Sequence, residues 1–285
     1  MTFSYMDNLR PKLPLIEASM IAPSTNAMNR TWSVLVVFAL ASILGWLWFK
    51  NGASKPLLSK HGIQPQVFAA LDDRTESIED FDQRLVILPT VFWEPLDTTS
   101  LRKLIRRTPL VRGKKILEIG TGSGLVSLCC VQAGASEVIA TDVNQNAVEC
   151  ARVNADRLGF GAKLSVRLVD TKNAKAFAVI PIDERFDLII SNPPWEEGKP
   201  KSIDQYALYD PNFELLKSLL VDARSHLNPK GELYLAYGCK TAFRLLEKLS
   251  GELGYDYKVL DDRKLDDLTE VFLPGMLLQL IPKSN

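Results

Sequence analysis

The chain has 285 residues, of which 46% are hydrophobic and 24% are charged, which is the composition of a globular protein with one large core and an extension. Basic and acidic residues balance at 34 each, so no net charge draws the whole molecule toward nucleic acid. The four cysteines show no C-x-x-C spacing, which favours buried free thiols in a reducing compartment over metal ligands or disulfides.

The first predicted element is a transmembrane helix at residues 31–49. The stretch TWSVLVVFALASILGWLWF has no charged side chain and, at about 1.5 Å per residue, spans roughly the hydrocarbon core of a bilayer. Lys50, Lys55 and Lys60 follow the stretch, whereas only Arg30 directly precedes it. The positive-inside rule therefore predicts a single-pass membrane protein whose C-terminal bulk is cytoplasmic.

Two alternatives to this anchor stay open at the level of sequence. A cleaved signal peptide is disfavoured because about thirty residues precede the apolar stretch and 51-NGAS-54 is a poor cleavage site. A buried core helix is disfavoured because the stretch is apolar on all sides. Residues 1–30 are interpreted as a disordered tail or a mis-assigned gene start, since Met28 offers a second initiation site.

Residues 50–65 are polar and broken by glycine and proline, which is typical of a linker. A lead-in segment follows at residues 66–112. It contains an acidic run at 72–82 and a helix predicted from Thr98 or Thr99 to Arg107.

Residues 113–285 alternate between strand-like and helix-like segments, which predicts a doubly wound α/β domain. The strands are near-continuously apolar in the middle, as expected of parallel strands buried on both faces. The last two lack a full crossover helix between them and are predicted to form an antiparallel edge pair. The predicted strands are 115–119, 137–142, 163–170, 186–191, 232–237, 255–262 and 276–282, and the predicted helices begin near Ser123, Asn144, Pro211 and Thr241.

A glycine-rich loop, 118-EIGTGSG-124, follows the first of these strands. Its glycines allow a ligand to approach the backbone closely and permit positive φ. The dinucleotide fingerprint would need a small residue at position 125, where the chain has Leu125, so NAD and FAD are disfavoured. Asp142 ends the next strand, 22 positions beyond Gly120, where a carboxylate accepts hydrogen bonds from ribose hydroxyls.

A second motif, Asn192-Pro193-Pro194-Trp195, ends the strand at 186–191 and is predicted to lie at the ligand crevice. The Asn192 side-chain oxygen and the Pro193 carbonyl are two hydrogen-bond acceptors that suit an NH₂ group. Trp195 offers a flat face for a planar amide or a nucleobase, and the prolines make the turn rigid.

The pattern E-x-G-x-G-x-G at 118–124 and the segment 138-VIATDVN-144 resemble motif I and the following acidic motif of class I S-adenosylmethionine-dependent methyltransferases. The N-P-P-W turn resembles the N-P-P-Y/F/W signature of amino-methyltransferases, which include the HemK-like and methyltransferase small domain groups. The resemblance covers about residues 91–282. It implies a seven-stranded, mostly parallel, Rossmann-like sheet with an antiparallel last strand and S-adenosyl-L-methionine as cofactor.

The resemblance also implies roles for individual residues. Glu118 and the glycine loop would surround the methionine part of the cofactor, Asp142 the ribose, and Asp170 the adenine amino group. Around Asp170 the sequence departs from the family's acid-plus-aromatic pattern, so a solvated aspartate is the alternative. The implied cofactor-binding residues are Glu118, Gly120, Thr121, Gly122, Gly124, Asp142, Val143, Asp170 and Asn192, and the implied catalytic residues are Asn192, Pro193 and Trp195.

Two further segments are assigned by analogy with the same families. The segment 92-FWEPLDTTSL-101 is predicted to fold over the cofactor with Thr98 or Thr99 toward it, although a helix N-cap explains these threonines equally well. Residues 196–216 are predicted to be a substrate-facing loop. The family's glycine-rich stretch is absent from this loop at Tyr209-Asp210-Pro211, which puts a release-factor substrate in doubt.

The first functional hypothesis is a membrane-anchored N-methyltransferase that acts on a protein amide or a small amino compound. An RNA guanine or adenine N-methyltransferase is second, and a non-catalytic cofactor-binding membrane scaffold is third. Seven basic residues and no acid lie between Thr98 and Leu117. This basic run would suit an RNA-contacting edge or an anionic membrane face, and a solvated helix face explains it equally well.

Overall fold

The computed structural model describes residues 74–264 and 271–283. The predicted tail, membrane helix and linker at residues 1–65 lie outside the described residues, as does the start of the lead-in segment. No helix in the described part of the chain combines the length and the apolar character that a bilayer crossing requires.

The helices and strands are numbered in chain order. The strands are β1 Thr75–Glu76, β2 Leu85–Val86, β3 Lys115–Ile119, β4 Glu137–Asp142, β5 Leu164–Leu168, β6 Phe186–Ser191, β7 Glu196–Glu197, β8 Tyr209–Asp210, β9 Leu227–Cys239, β10 Tyr255–Val259 and β11 Val271–Pro282. The α-helices are α1 Thr99–Arg107, α2 Leu125–Gln132, α3 Gln145–Arg157, α4 Glu214–His226 and α5 Lys240–Glu252.

Seven strands form one sheet in the order β10-β11-β9-β6-β3-β4-β5. The pairs from β9 to β5 are parallel, whereas β11 is antiparallel to both of its neighbours. The sequence prediction of a seven-stranded, mostly parallel sheet with a reversed last strand is therefore confirmed.

Helices cover both faces of this sheet, which explains why the strands are apolar along their whole middle. On one face, Leu117 and Ile189 pack with residues of α4 and α5. On the other face, Ile116 and Leu188 pack with residues of α1, α2 and α3. The lead-in segment contributes Leu85, Leu101, Ile105 and Val111 to this second core, so its described part packs on the sheet.

Some element boundaries differ from the prediction. The helix expected near Pro211 begins at Glu214 because Asn212 and Phe213 have φ of 54° and 53°, outside the helical region. The Asp210 carboxylate accepts hydrogen bonds from the backbone N–H groups of Leu215 (2.9 Å) and Leu216 (3.0 Å), which stabilises this start. β9 and β11 are longer than predicted, because Leu227 at the start of β9 pairs with Phe186 of β6 and Cys239 at its end pairs with Val271 of β11.

The basic run forms ion pairs with acids from other parts of the chain. Arg102 pairs with Asp80, and the Arg106 guanidinium lies 3.0 Å from the same carboxylate. The Lys115 ammonium lies 3.2 Å from Glu137 and 3.0 Å from Glu184. A sequence that looks like a continuous basic edge is therefore partly neutralised in the fold.

Candidate active site

β3, β4 and β6 are parallel neighbours, so Ile119, Thr141 and Ser191 lie side by side at one edge of the sheet. A cavity of about 580 Å³ opens at this edge. Of the site residues predicted from sequence, those that line it are Glu118, Gly120, Thr121, Gly122, Asp142, Val143, Asn192, Pro193 and Trp195. Gly124 and Asp170 do not line this cavity.

The three loop glycines have different physical roles. All three have positive φ, of 76° at Gly120, 55° at Gly122 and 86° at Gly124. A Cβ on Gly120 would meet nothing within 4 Å, so this glycine leaves open space beside the cavity. A Cβ on Gly124 would lie 2.9 Å from Cα and Cβ of Ala151, so this glycine allows the start of α2 to approach α3.

Glu118, at the end of β3, is 4% exposed and lines the cavity. Its Oε2 accepts hydrogen bonds from the Thr121 hydroxyl (2.7 Å), the Ser127 backbone N–H (3.1 Å) and the Ser127 hydroxyl. Burial raises the pKa of the carboxyl from 4.5 to about 7, although these hydrogen bonds lower it and Asp142 raises it further. A cation bound in the cavity would therefore favour the charged form of this carboxyl.

Asp142 links the glycine loop to the start of α3. Its Oδ2 accepts a hydrogen bond from the Gly122 N–H (2.9 Å) and its Oδ1 accepts one from the Asn144 N–H (2.8 Å). Burial raises the pKa of this carboxyl, and the hydrogen bonds from Asn144 and Gly122 lower it. Each carboxylate oxygen has a second lone pair, so the group remains able to accept hydrogen bonds from a ribose.

Asp170 is separated from this group of residues. Its Oδ1 accepts a hydrogen bond from the Lys172 N–H at 2.9 Å and caps the short 3₁₀ turn Thr171–Asn173. Its neighbours Val169 and Thr171 line the cavity, while Asp170 lines a smaller adjoining depression with Val143.

The N-P-P-W turn begins directly after β6, where the Ser191 hydroxyl donates a hydrogen bond to the Ile119 carbonyl of β3 at 2.7 Å. The side-chain oxygen of Asn192 is buried and has no hydrogen-bond partner within the described residues. Pro193 is buried, and the buried Tyr237 hydroxyl lies 3.4 Å from the Pro194 carbonyl oxygen. The turn therefore presents a free acceptor atom on a firmly packed backbone.

Trp195 is half-buried and rests on glycines of two strands. A Cβ on Gly238 of β9 would overlap the indole, with Cε3 at 2.7 Å, and one on Gly275 of β11 would lie 3.2 Å from Cζ2. These glycines let the ring lie close to the sheet while it still lines the cavity.

The lead-in segment lies against the glycine loop, with the Phe92 carbonyl 3.8 Å from where a Gly122 Cβ would be. Asn144 holds the segment there, because its Nδ2 donates a hydrogen bond to the Thr90 carbonyl at 2.9 Å. Thr98 lines the cavity and Thr99 does not. Thr98 occupies the N-cap position of α1, but its hydroxyl makes no capping bond and accepts one from Arg102 Nε at 3.2 Å.

Sequence reasoning missed two residues of this region. Asn154 of α3 is fully buried, and its side chain bonds both backbone groups of Val86 (2.7 and 2.9 Å) and the Ser123 carbonyl (2.9 Å). Asp97 is buried and lines the cavity beside Thr98. Asp97 lies inside the segment that was predicted to cover the cofactor. The sequence feature that could have indicated it is a carboxylate directly before two threonines.

The fold, the glycine loop and the acid at the end of β4 together define a class I methyltransferase. Residues 82–255 match the Methyltransferase small domain family. The chain belongs to this family, so the resemblance inferred from sequence is confirmed, and with it the class of enzyme and the cofactor, S-adenosylmethionine.

Individual relatives fall into more than one functional group. The chain is 31% identical over 170 residues to a release factor glutamine methyltransferase of Shewanella oneidensis, covering 56% of this chain and 57% of that one. It is 29% identical over 142 residues to a tRNA1(Val) (adenine(37)-N6)-methyltransferase of Glaesserella parasuis, covering 47% of this chain and 56% of that one. The chain thus spans just over half the length of these relatives.

Among solved structures, the ribosomal protein L11 methylase of Lactobacillus delbrueckii has the same fold. The two share 20% identity with a TM-score of 0.50, over 70% of this chain and 84% of that one.

The residues present fit S-adenosylmethionine. Gly120 leaves open space at the cavity wall, and each Asp142 carboxylate oxygen retains a lone pair that can accept a hydrogen bond. Glu118 adds a carboxyl that favours a cationic ligand, and S-adenosylmethionine is cationic at its sulfonium.

Proposed function

We propose that this protein transfers a methyl group to a planar amide or amino nitrogen of a protein or a small molecule, held by the N-P-P-W turn. S-adenosylmethionine supplies an electrophilic methyl group when it is bound. The observation that carries the proposal is the unpartnered, buried Asn192 Oδ1 at the cavity wall, followed directly by two prolines.

The turn suits the chemistry of a weakly nucleophilic nitrogen. The lone pair of an amide or aniline-like nitrogen is delocalised, so attack requires a pyramidal nitrogen in a fixed orientation. Asn192 Oδ1 and the Pro193 carbonyl would accept the two N–H groups of the acceptor and favour this geometry. Trp195 would hold the plane of the acceptor. No base is required before attack, because the nitrogen becomes acidic only once it is methylated.

Two observations favour a protein or small-molecule acceptor over RNA. The basic run that suggested an RNA-contacting edge is partly engaged in ion pairs with Asp80, Glu137 and Glu184. The only basic residues among the described ones that line the cavity are Lys172 and Lys175. An RNA-binding site needs unpaired basic residues near its entrance. An RNA base N-methyltransferase remains the second candidate, supported by the name of the Glaesserella relative.

The decisive experiment uses labelled S-adenosylmethionine, the full chain and a fractionated lysate. We expect label in protein or small molecules. Label in RNA alone would replace the first candidate with the second. Asn192→Ala should abolish transfer and leave cofactor binding largely intact, because the acceptor loses its hydrogen-bond partner. A non-catalytic scaffold would transfer no methyl group, and Asn192→Ala would then change neither methyl transfer nor cofactor binding.

We propose in addition that residues 31–49 anchor the protein in a membrane with the catalytic part in the cytoplasm. The uncharged length of this stretch and the lysines that follow it support the proposal. The full chain should stay in the membrane fraction after an alkaline wash, and a chain that begins at about Ser54 should be released. If the alkaline wash releases both chains, residues 31–49 do not anchor the protein.

A further inference from the structure

Asp97 is a buried carboxyl in the cavity wall without a partner in the described residues. It lies in the short 3₁₀ turn Pro95–Thr98, just before α1, and is 3% exposed. Its Oδ1 is buried and accepts no hydrogen bond from the described part of the chain. Burying a carboxylate oxygen without a donor is costly, so such an atom at a cavity wall indicates a missing ligand.

The turn that carries Asp97 is held in place by Arg102, which is 2% exposed. Arg102 Nη2 donates a hydrogen bond to the Pro95 carbonyl at 2.9 Å, and its Nε donates to the Thr98 hydroxyl at 3.2 Å. The charge of Arg102 is paired with Asp80. Arg102 therefore holds the Pro95 carbonyl and the Thr98 side chain on either side of Asp97, while its charge is neutralised by Asp80.

The same turn lies beside the acceptor-binding motif. A Cβ on Gly275 would lie 2.8 Å from the Asp97 carbonyl oxygen and 3.2 Å from Cζ2 of Trp195. One glycine of β11 thus lies against both the backbone of the Asp97 turn and the Trp195 indole, and Asp97 and Trp195 both line the cavity. Asp97 belongs to the part of the cavity where the methyl acceptor would bind.

This part of the cavity is acidic. The acids that line it from the lead-in segment and from the residues after the N-P-P-W turn are Glu94, Asp97, Glu196, Asp204, Asp210 and Glu214. Lys172 and Lys175, the two basic residues among the described lining residues, both belong to the segment after β5. A cavity lined by acids attracts a cation and repels a polyanion.

We infer that Asp97 binds an alkylammonium or guanidinium group of the methyl acceptor. This inference rests on the proposed function and narrows its substrate class to a positively charged acceptor. A charge-assisted hydrogen bond would satisfy the unpartnered oxygen, and the surrounding acids would disfavour an acidic peptide or a nucleic acid. Burial, with the nearby Glu94, raises the pKa of Asp97 to about 7, as expected of a carboxyl that lacks a cationic partner in the free protein.

The test measures binding to the full chain saturated with S-adenosylhomocysteine, by calorimetry. The probes are a glutamine peptide flanked by lysines, the same peptide flanked by glutamates, and 1,4-diaminobutane. We expect at least one cationic probe to bind and the glutamate peptide to bind more weakly. Binding of the lysine peptide alone identifies a basic peptide as the source of the cation, and binding of the diamine alone identifies a small amine.

Asp97→Asn should lower the affinity for the cationic probe by roughly tenfold to a hundredfold, which is the usual effect of losing a hydrogen bond to a charged group. The change is isosteric, and binding of S-adenosylhomocysteine by the variant verifies its fold. Asp82→Asn is the matched control, because Asp82 is exposed and does not line the cavity. It should bind the probe like the wild type.

Three results would overturn the inference: no cationic probe binds, the glutamate peptide binds as tightly, or Asp97→Asn binds unchanged. Methyl transfer to the bound probe and to lysate fractions is followed separately with labelled S-adenosylmethionine. If the cationic probe binds in a way that depends on Asp97 but the protein transfers no methyl group to any acceptor, the proposed function is refuted. The inference about Asp97 would then still hold.

Discussion

Replacing Glu118 with glutamine should stabilise the protein at alkaline pH and leave its stability almost unchanged at acidic pH. The reason is the pKa of the carboxyl, which burial raises from 4.5 to about 7 in the folded protein. The amide oxygen of glutamine can still accept the hydrogen bonds from Thr121 and Ser127. The substitution therefore removes the charge and retains these contacts.

The sign follows from the proton balance of Glu118. Below pH 4.5 the carboxyl is protonated in both states and contributes no pH dependence. Between 4.5 and about 7 the unfolded chain loses the proton and the folded protein keeps it, so the free energy of unfolding falls as the pH rises. Above about 7 the penalty is complete and amounts to roughly 3 kcal/mol, at about 1.4 kcal/mol per pKa unit.

Urea unfolding of wild type and Glu118→Gln at about pH 5 and about pH 8 measures the effect. We expect the variant to gain roughly 1 to 3 kcal/mol at the higher pH and less than about 1 kcal/mol at the lower one. Glu184→Gln is the control, because Arg167 and Lys115 hold the pKa of Glu184 below its usual value, so its effect should be equal at both pH values. A gain for Glu118→Gln that is equal at the two pH values, or a loss at pH 8, would refute the reasoning.

The other predictions concern glycines. Gly124→Ala should lower the free energy of unfolding by roughly 2 to 4 kcal/mol, because positive φ and the 2.9 Å approach to Ala151 both oppose a Cβ. A Cβ at Gly120 meets no such neighbour, so Gly120→Ala should lower the free energy of unfolding by only about 1 kcal/mol but weaken S-adenosylmethionine binding. Equal losses of stability for the two variants in urea unfolding would contradict this reasoning. Gly238→Ala should displace the Trp195 indole and slow methyl transfer with cofactor affinity retained, and an unchanged rate would argue against an acceptor role for Trp195.

Local patterns predicted much of the fold correctly, and they predicted which strand ends meet at the edge where the cavity opens. A parallel strand that is buried on both faces is apolar along its middle, so β3, β4 and β6 were predicted with their observed ends. Their carboxyl ends meet at one edge, which is why residues as distant in sequence as Glu118 and Asn192 were predicted to share a crevice, and both line the cavity.

Residues whose role depends on distant partners were not predictable in this way. The basic run looked uniform in sequence, yet Arg102 is buried against Asp80 and Lys115 bonds acids of two other segments. Asn154 looked like an ordinary helix residue, but it bonds the backbone of Val86, 68 residues away. Asp170 satisfies the expected pattern of a strand-ending acid, but its side chain caps the turn that follows it.

The sequence by itself determined the class of protein, because the glycine spacing and the acid that ends β4 are short local patterns that follow from the binding of a cofactor. Only the tertiary structure decided which charges are free to meet a ligand. Whether an acid or a base is paired depends on which segments pack together, and that left Arg102 neutralised and Asp97 without a partner among the described residues. Our inference that the methyl acceptor is positively charged rests on that difference.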